Sequence, residues 1–341
     1  MNFSSKLLIT LVLCIVVYLL YSIVLYRKEY YESYYLAPPP TKETDEKVES
    51  FESFPLIKSN NTVNLPIMEY AIMSSWNSAL ETSNKVSLQA LERVLKRGYR
   101  FLDMELYLVD DQVQVSYSSE TGSDIMESEP ILFFDVCKLI ATQAFYVSNN
   151  EDPLFLHLRV RTPGDAIYPK IADSLVGHFE SHLYKKDVTK NTLFSEIQGK
   201  IVVVFDLLVS SGIRNYECKG NCRVNMKKMI SAYSGSSTLV SSKQHVKIDE
   251  PKRGLEMKDD EKLRTNVRKW QMVTHGLGVD YEKQNSEHFT KLLLEHSVQI
   301  IPHKVYSMDE NIDKYEEFFM NNGKRAFVPL AVALRDGLLV N

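Results

Sequence analysis

Several things are scarce in this 341-residue chain, and each scarcity removes a class of protein. Four cysteines are too few for a disulfide scaffold. Cys14 lies in an apolar run and Cys137 in a predicted buried helix. Only "CKGNC", Cys218 to Cys222, has a suggestive spacing: a small disulfide loop, half of a metal site, or a plain surface loop. No second Cys pair and no His pair at zinc spacing accompanies it, which argues against zinc. Excess positive charge is also missing. A net charge of −4 lacks the basic surface of a general nucleic-acid binder. No glycine-rich nucleotide loop follows a predicted strand, and no internal repeat stands out.

What is present begins at the N-terminus. "LLITLVLCIVVYLLYSIVLY", Leu7 to Tyr26, carries no charge; Lys6 precedes it and Arg27-Lys28 follow. Twenty helical residues at about 1.5 Å each span roughly 30 Å, one hydrocarbon core. A cleaved signal peptide would have a shorter apolar core and a small-residue cleavage site, and the Tyr-rich exit offers neither. Tyr26, Tyr30, Tyr31, Tyr34 and Tyr35 fit a belt at the headgroups. The reading is a single-pass membrane anchor over 7–26, behind a short tail 1–6, its orientation undecided because Lys6 and the amino group balance Arg27 and Lys28. The sequon at Asn60 matters only if the domain is lumenal. A Tyr-, Pro- and acid-rich spacer follows over 27–64.

From Leu65 strand-like and helix-like segments alternate. "MEYAIMSS" reads as a strand; "SLQALERVLKRG" as an amphipathic helix closed by Gly98; "YRFLDMELYLV" and "QVQVSYS" as strands. Then come a helix in "ILFFDVCKLIATQAFYV", a strand in "PLFLHLRV", a helix in "IYPKIADSLVGHFESHLY" and a buried strand in "GKIVVVFDLL". Farther on, "SEHFTKLLLEHS" reads as a helix, "VQIIPHKVY" as a strand, "NIDKYEEFFMNNG" as a helix and "RAFVPLAV" as a strand. Repeated strand–helix units predict an α/β fold, a (β/α)8 TIM-type barrel rather than an open sheet. "SSKQHVKIDEPKRGLEMKDDEKLR" reads as an insertion or long loop.

"YAIMSSWNSAL", "VLKRGYRFLDMEL", "ILFFDVCKLIATQAFYVSNNEDPLFLHLRV" and "LFSEIQGKIVVV" resemble the X half of phosphoinositide-specific phospholipase C, in order and spacing. The tail, "HSVQIIPHKVYSMDENIDKYEEFFMNNGKRAFVPLAVALRDG", is more weakly similar to the end of the Y half. The resemblance divides the chain into an X-like half over 65–205, a loop or insertion region over 206–262 and a Y-like half over 263–341.

The resemblance implies phosphodiester cleavage by two histidines, with calcium held by Asn and carboxylates. In this chain the first histidine position falls on Trp76 and the second on Tyr117 or an adjacent serine. Asn77 keeps a calcium-ligand position, Asp103 and Glu105 keep an acidic pair with the two types swapped, and a family glutamate falls on Arg159. Strand spacing adds to this independently. Asp103 and Glu105 are two apart and face the same way, as do His157 and Arg159. An arginine aimed at that acidic pair would neutralise it and repel calcium, or would stand in for the metal and bind phosphate. Trp76 reads most simply as a plug in the cleft. Tyr117 reads as cleft lining, since an unperturbed phenol near 10 takes no proton near neutral pH. His157 is a satisfied interior histidine or a relocated acid or base. His178, His182, His245, His275, His288, His296 and His303 match no family position.

The expectation is a membrane-anchored, catalytically degenerate phospholipase C-like barrel that serves as a binding or structural module. Its partners would be the membrane through 7–26 and a phosphoinositide headgroup or a protein; nucleic acid is not among them. No cofactor is expected. The alternative is an active phosphodiesterase using Asp103, Glu105 and His157 with or without a metal, the metal if any being calcium on Asn77, Asp103 and Glu105.

Overall fold

The computed structural model describes residues 57–59, 64–81, 85–118, 129–218, 222–243, 270–274, 285, 288–294, 296–307 and 309–333. The chain divides into two units, 1–53 and 54–341, and all described residues lie in the second. The anchor over 7–26 therefore lies outside the described residues. Among those residues no helix is long and apolar enough to cross a membrane.

The elements run in order: β1 (Tyr70–Ile72), β2 (Ser74–Ser75), α1 (Leu88–Lys96), β3 (Phe101–Val109), β4 (Gln112–Ser116), β5 (Ile131–Leu132), α2 (Phe133–Gln143) and β6 (Leu154–Val160). They continue with α3 (Ile167–Phe179), α4 (Phe194–Ile197), β7 (Ile201–Asp206), β8 (Ala232–Ser234), β9 (Leu239–Lys243), β10 (Trp270–Thr274), α5 (Phe289–Leu294), α6 (Glu310–Asn321) and β11 (Phe327–Pro329).

Local chemistry explains the boundaries. Ser87 caps α1 by accepting the Ala90 N–H at 3.0 Å. Gly98 follows α1 at φ +93°, where a Cβ would meet Ile57 at 2.6 Å, so only glycine closes this helix. Asp309 caps α6 through the N–H groups of Asn311 and Ile312. The strands β6 and β7 are buried at every position, the pattern of parallel strands covered on both faces.

Strands β2, β3, β6, β7, β8, β9 and β10 pair in parallel, each with the next. Parallel bridges from Ile300 to Met272 and to Ile72, and from His303 to Ser75, return the sheet to its start. The result is a TIM-like α/β barrel, with the β4–β5 extension hydrogen-bonded antiparallel beside β3 and β11 antiparallel to β1.

Two stretches differ from the reading of the sequence. The segment 206–262, read as loop or insertion, supplies β8 and β9, strands of three and five residues that are too short and too polar for periodicity to reveal. "VQIIPHKVY" forms no continuous strand. It pairs through isolated bridges at Ile300 and His303, with Gln299 also bonded to the backbone of Ile72 and Gln271, and then turns into a 3-10 helix, Val305–Ser307, past Pro302, which has no N–H to give a ladder. Residues 244–264 of the remaining insertion lie outside the described residues.

Candidate functional site: a closed ion-pair cluster at the strand ends

Parallel pairing of β3 with β6 sets Asp103 beside His157 and Glu105 beside Arg159. All four side chains point to one face, because residues two apart on a strand share a face. The loop leaving β2 brings Trp76 and Asn77 over them. Asn77 takes φ +45°, a conformation Asn tolerates better than most residues, and its N–H donates to Asp103 Oδ2 at 3.0 Å. The Ser78 N–H donates to the Asp103 carbonyl at 2.9 Å, and the Asp103 N–H to Ser78 Oγ at 2.8 Å.

Arg159 is the hub. Its Nε donates to Asp103 Oδ1 at 2.9 Å and its Nη2 to Asp103 Oδ2 at 2.8 Å, a two-pronged pairing. Nη2 also donates to Asn77 Oδ1 at 2.5 Å, and Nη1 lies 3.2 Å from Glu105 Oε1. The guanidinium carbon sits 4.0 Å from the centroid of the Trp76 ring, a cation–π contact. Trp76 thus covers Arg159, and it is 3% exposed.

Around this hub the remaining valences are met by residues the sequence reading did not single out. Glu105 accepts the Ser118 N–H at 2.8 Å and hydroxyl at 3.0 Å, and Arg161 Nε lies 3.0 Å from its Oε1. His157 Nδ1 donates to Asp103 Oδ1 at 2.7 Å. Its Nε2 lies 2.8 Å from Ser234 Oγ, at the end of β8, and 3.9 Å from Asp206 Oδ2, at the end of β7. Tyr306 is buried beside the cluster, close enough to Asn77, Asp103 and Arg159 for them to influence its phenol. Tyr117 is buried and close enough to influence Tyr306. A Ser–His–Asp geometry therefore exists here, with Ser234, His157 and Asp103 each 0% exposed.

The electrostatics follow from these distances. Burial alone would raise the Asp103 carboxyl, but the Arg159 charge and the His157 hydrogen bond outweigh it and hold the group at about 2. Burial alone would lower Arg159, yet Asp103 and Glu105 keep it above its ordinary value. Burial pushes the Tyr306 phenol upward, so it stays protonated across the physiological range.

These residues do not fit a calcium ion. Asn77 Oδ1, both Asp103 oxygens and Glu105 Oε1 already face one fixed guanidinium, and a divalent cation would be placed against it. Among the described residues no group of three or more His, Cys, Asp or Glu is arranged to hold a metal ion. The other histidines are dispersed. His178 lies on α3 against Phe134, His182 stacks on Phe145, and His303 stacks on Tyr315 at 3.9 Å. His245 and His275 lie outside the described residues.

Comparison with known proteins agrees with the barrel. Residues 63–205 match the family model for the phosphatidylinositol-specific phospholipase C X domain. No curated protein matches the sequence. Among solved structures, PLC21 of L. pealei aligns with a TM-score of 0.62 at 14% identity, covering 80% of this chain and 38% of that one. PLC21 of S. officinalis aligns at 0.58 and 15% identity, covering 79% and 37%. The chain thus spans less than two-fifths of the length of either PLC21 protein, and at this identity the likeness is one of fold. A Ca+2 dependent phosphatidylinositol-specific phospholipase C from Streptomyces antibioticus aligns at 0.47 and 9% identity, covering 71% and 95%.

Proposed function

We propose that this chain is a membrane-anchored phospholipase C-like barrel whose catalytic cleft has become a structural ion-pair cluster, leaving a module that binds rather than cleaves. One observation carries the reading: Arg159 occupies the acidic pair and Asn77 together, under Trp76, with every member buried. Removal of a general acid–base residue costs about 10² to 10⁴-fold. Here tryptophan and tyrosine stand where the resemblance places both histidines, and neither transfers protons near neutral pH. The retained contacts hold the β2 loop, β3 and β6 together, so the cluster contributes structure without turnover. A phosphoinositide headgroup or a protein remains the partner of choice for the outer surface, with the apolar run 7–26 as the tether.

The test is cleavage of phosphatidylinositol 4,5-bisphosphate in vesicles by the full chain, with and without millimolar calcium. The W76H/Y117H/R159E triple variant runs in parallel. An inert natural chain, with calcium-dependent turnover or a calcium-dependent rise in melting temperature in the variant, supports the reading. Turnover by the natural chain sinks it.

A further inference from the structure

The connection from β7 to β8, residues 207–231, does more than link two strands. Its first turn is sewn to β6: the Val160 N–H donates to Ser210 Oγ at 2.7 Å, and Ser210 Oγ donates to the Val160 carbonyl at 3.0 Å. Ile213, Tyr216 and Met226 are buried, and Tyr216 packs on Tyr168 of α3 with ring centroids 5.0 Å apart. Within this connection Cys218 and Cys222 form a disulfide, with Cα atoms 5.5 Å apart. Tyr216 Oη lies 3.3 Å from Cys222 Sγ, so the bridge closes directly against the buried anchor. The strands on either side end in Asp206 and Ser234, the two groups that approach His157 from β7 and β8.

The rest of the cysteine usage is consistent with a bridge made to last. Both bridged cysteines are only half-buried, so a reducing cytosol would reach them. Cys137 is wholly buried in α2, and Cys14 falls in the apolar run. Cys137 is the one free cysteine among the described residues.

We propose that the barrel resides in an oxidising, extracytoplasmic compartment, with Cys218–Cys222 as a permanent clamp on the β7–β8 connection. In forming it, the two thiols lose two protons and two electrons. A protein disulfide of the compartment's oxidoreductases takes them up by thiol–disulfide exchange and leaves as a dithiol. The compartment does not depend on the loss of catalysis. Only the statement that the barrel is tethered there rests on reading 7–26 as an anchor.

The full chain, translated with endoplasmic-reticulum microsomes, tests this with two measurements. The first is protease protection in intact vesicles, with the sequon Asn60-Asn61-Thr62 as a built-in reporter whose glycan shift N60Q removes. The second is maleimide labelling of the denatured chain. Four cysteines with one bridge give two adducts before reductant and four after it. Protection with two adducts is the expected result. A barrel digested in intact vesicles, or four adducts without reductant, overturns the proposal. Carbonate extraction separates the two readings: a protected chain released by carbonate keeps the compartment and removes the anchor. C222S is expected to lower the melting temperature measurably while the fold persists, and reductant is expected to have the same effect on the natural chain.

Discussion

Two of the buried arginines, Arg100 and Arg159, sit at opposite ends of the barrel strands, and they solve different problems. Arg100, 0% exposed, sits just before β3 and donates to the carbonyl of Ala144 at 2.7 Å, to the Asn149 carbonyl and to Asn149 Oδ1 at 2.7 Å. Its acceptors are neutral dipoles on the α2–β6 connection. Burial pushes it down to about 10, with Asp152 opposing the shift. Arg159, 4% exposed, faces two carboxylates, which raise it. The first arginine satisfies carbonyls that would otherwise lack donors at the foot of the barrel. The second neutralises a charge that the fold would otherwise have to solvate.

Replacing each by methionine separates the two roles. Arg159→Met leaves Asp103 and Glu105 buried and uncompensated, and is expected to cost about 3–5 kcal/mol. At about 2–4 °C per kcal/mol that is a fall of roughly 6–20 °C in melting temperature. Adding D103N and E105Q should return much of the loss, because the penalty is the stranded charge. Arg100→Met leaves carbonyls short of donors, at about 1–3 kcal/mol for each, so a total near 3 kcal/mol is expected. D152N should return little of it. Equal rescue in the two backgrounds, measured by thermal denaturation, would mean that the arginines are doing the same job.

Acid sharpens the contrast. Asp103 is held at about 2 against an unfolded value near 4. A depressed carboxylate contributes stability that is complete above the unfolded value and lost as pH falls through about 4 toward 2. The contribution is about 2–3 kcal/mol. Denaturant unfolding at pH 7 and pH 3 should therefore show a steeper loss for the natural chain than for D103N.

The sequence made the first half of this site legible for a physical reason. Asp103 and Glu105, like His157 and Arg159, are spaced by two on strands long enough for that period to mean something. What it left open was register. A shift of one residue between β3 and β6 would have separated Arg159 from Glu105, and nothing local to either strand fixes that choice. Ser118, Arg161, Asp206, Ser234 and Tyr306 were harder still. Arg161 continues the two-residue spacing from Arg159, and Asp206 ends the apolar run of β7, so both left a trace. Ser234 sits in a three-residue strand and Tyr306 in a 3-10 turn, where no period exists to be read.

The smallest expected effect bears on Trp76, whose ring has no counterpart beside Arg100 among the contacts described above. Filling space and stacking on a cation are separable by a double-mutant cycle of W76L and R159M. Trp76→Leu alone removes packing and creates room, and its cost mixes both contributions. The coupling between the two changes isolates the contact of the ring with the guanidinium 4.0 Å away. For a desolvated pair that coupling is about 1–2 kcal/mol. A value in that range makes Trp76 part of the charge cluster, the lid that keeps Arg159 dry and so strengthens its hold on Asp103. A coupling near zero, with the single-variant loss unchanged, leaves the ring as filler above an arginine that the carboxylates hold without help.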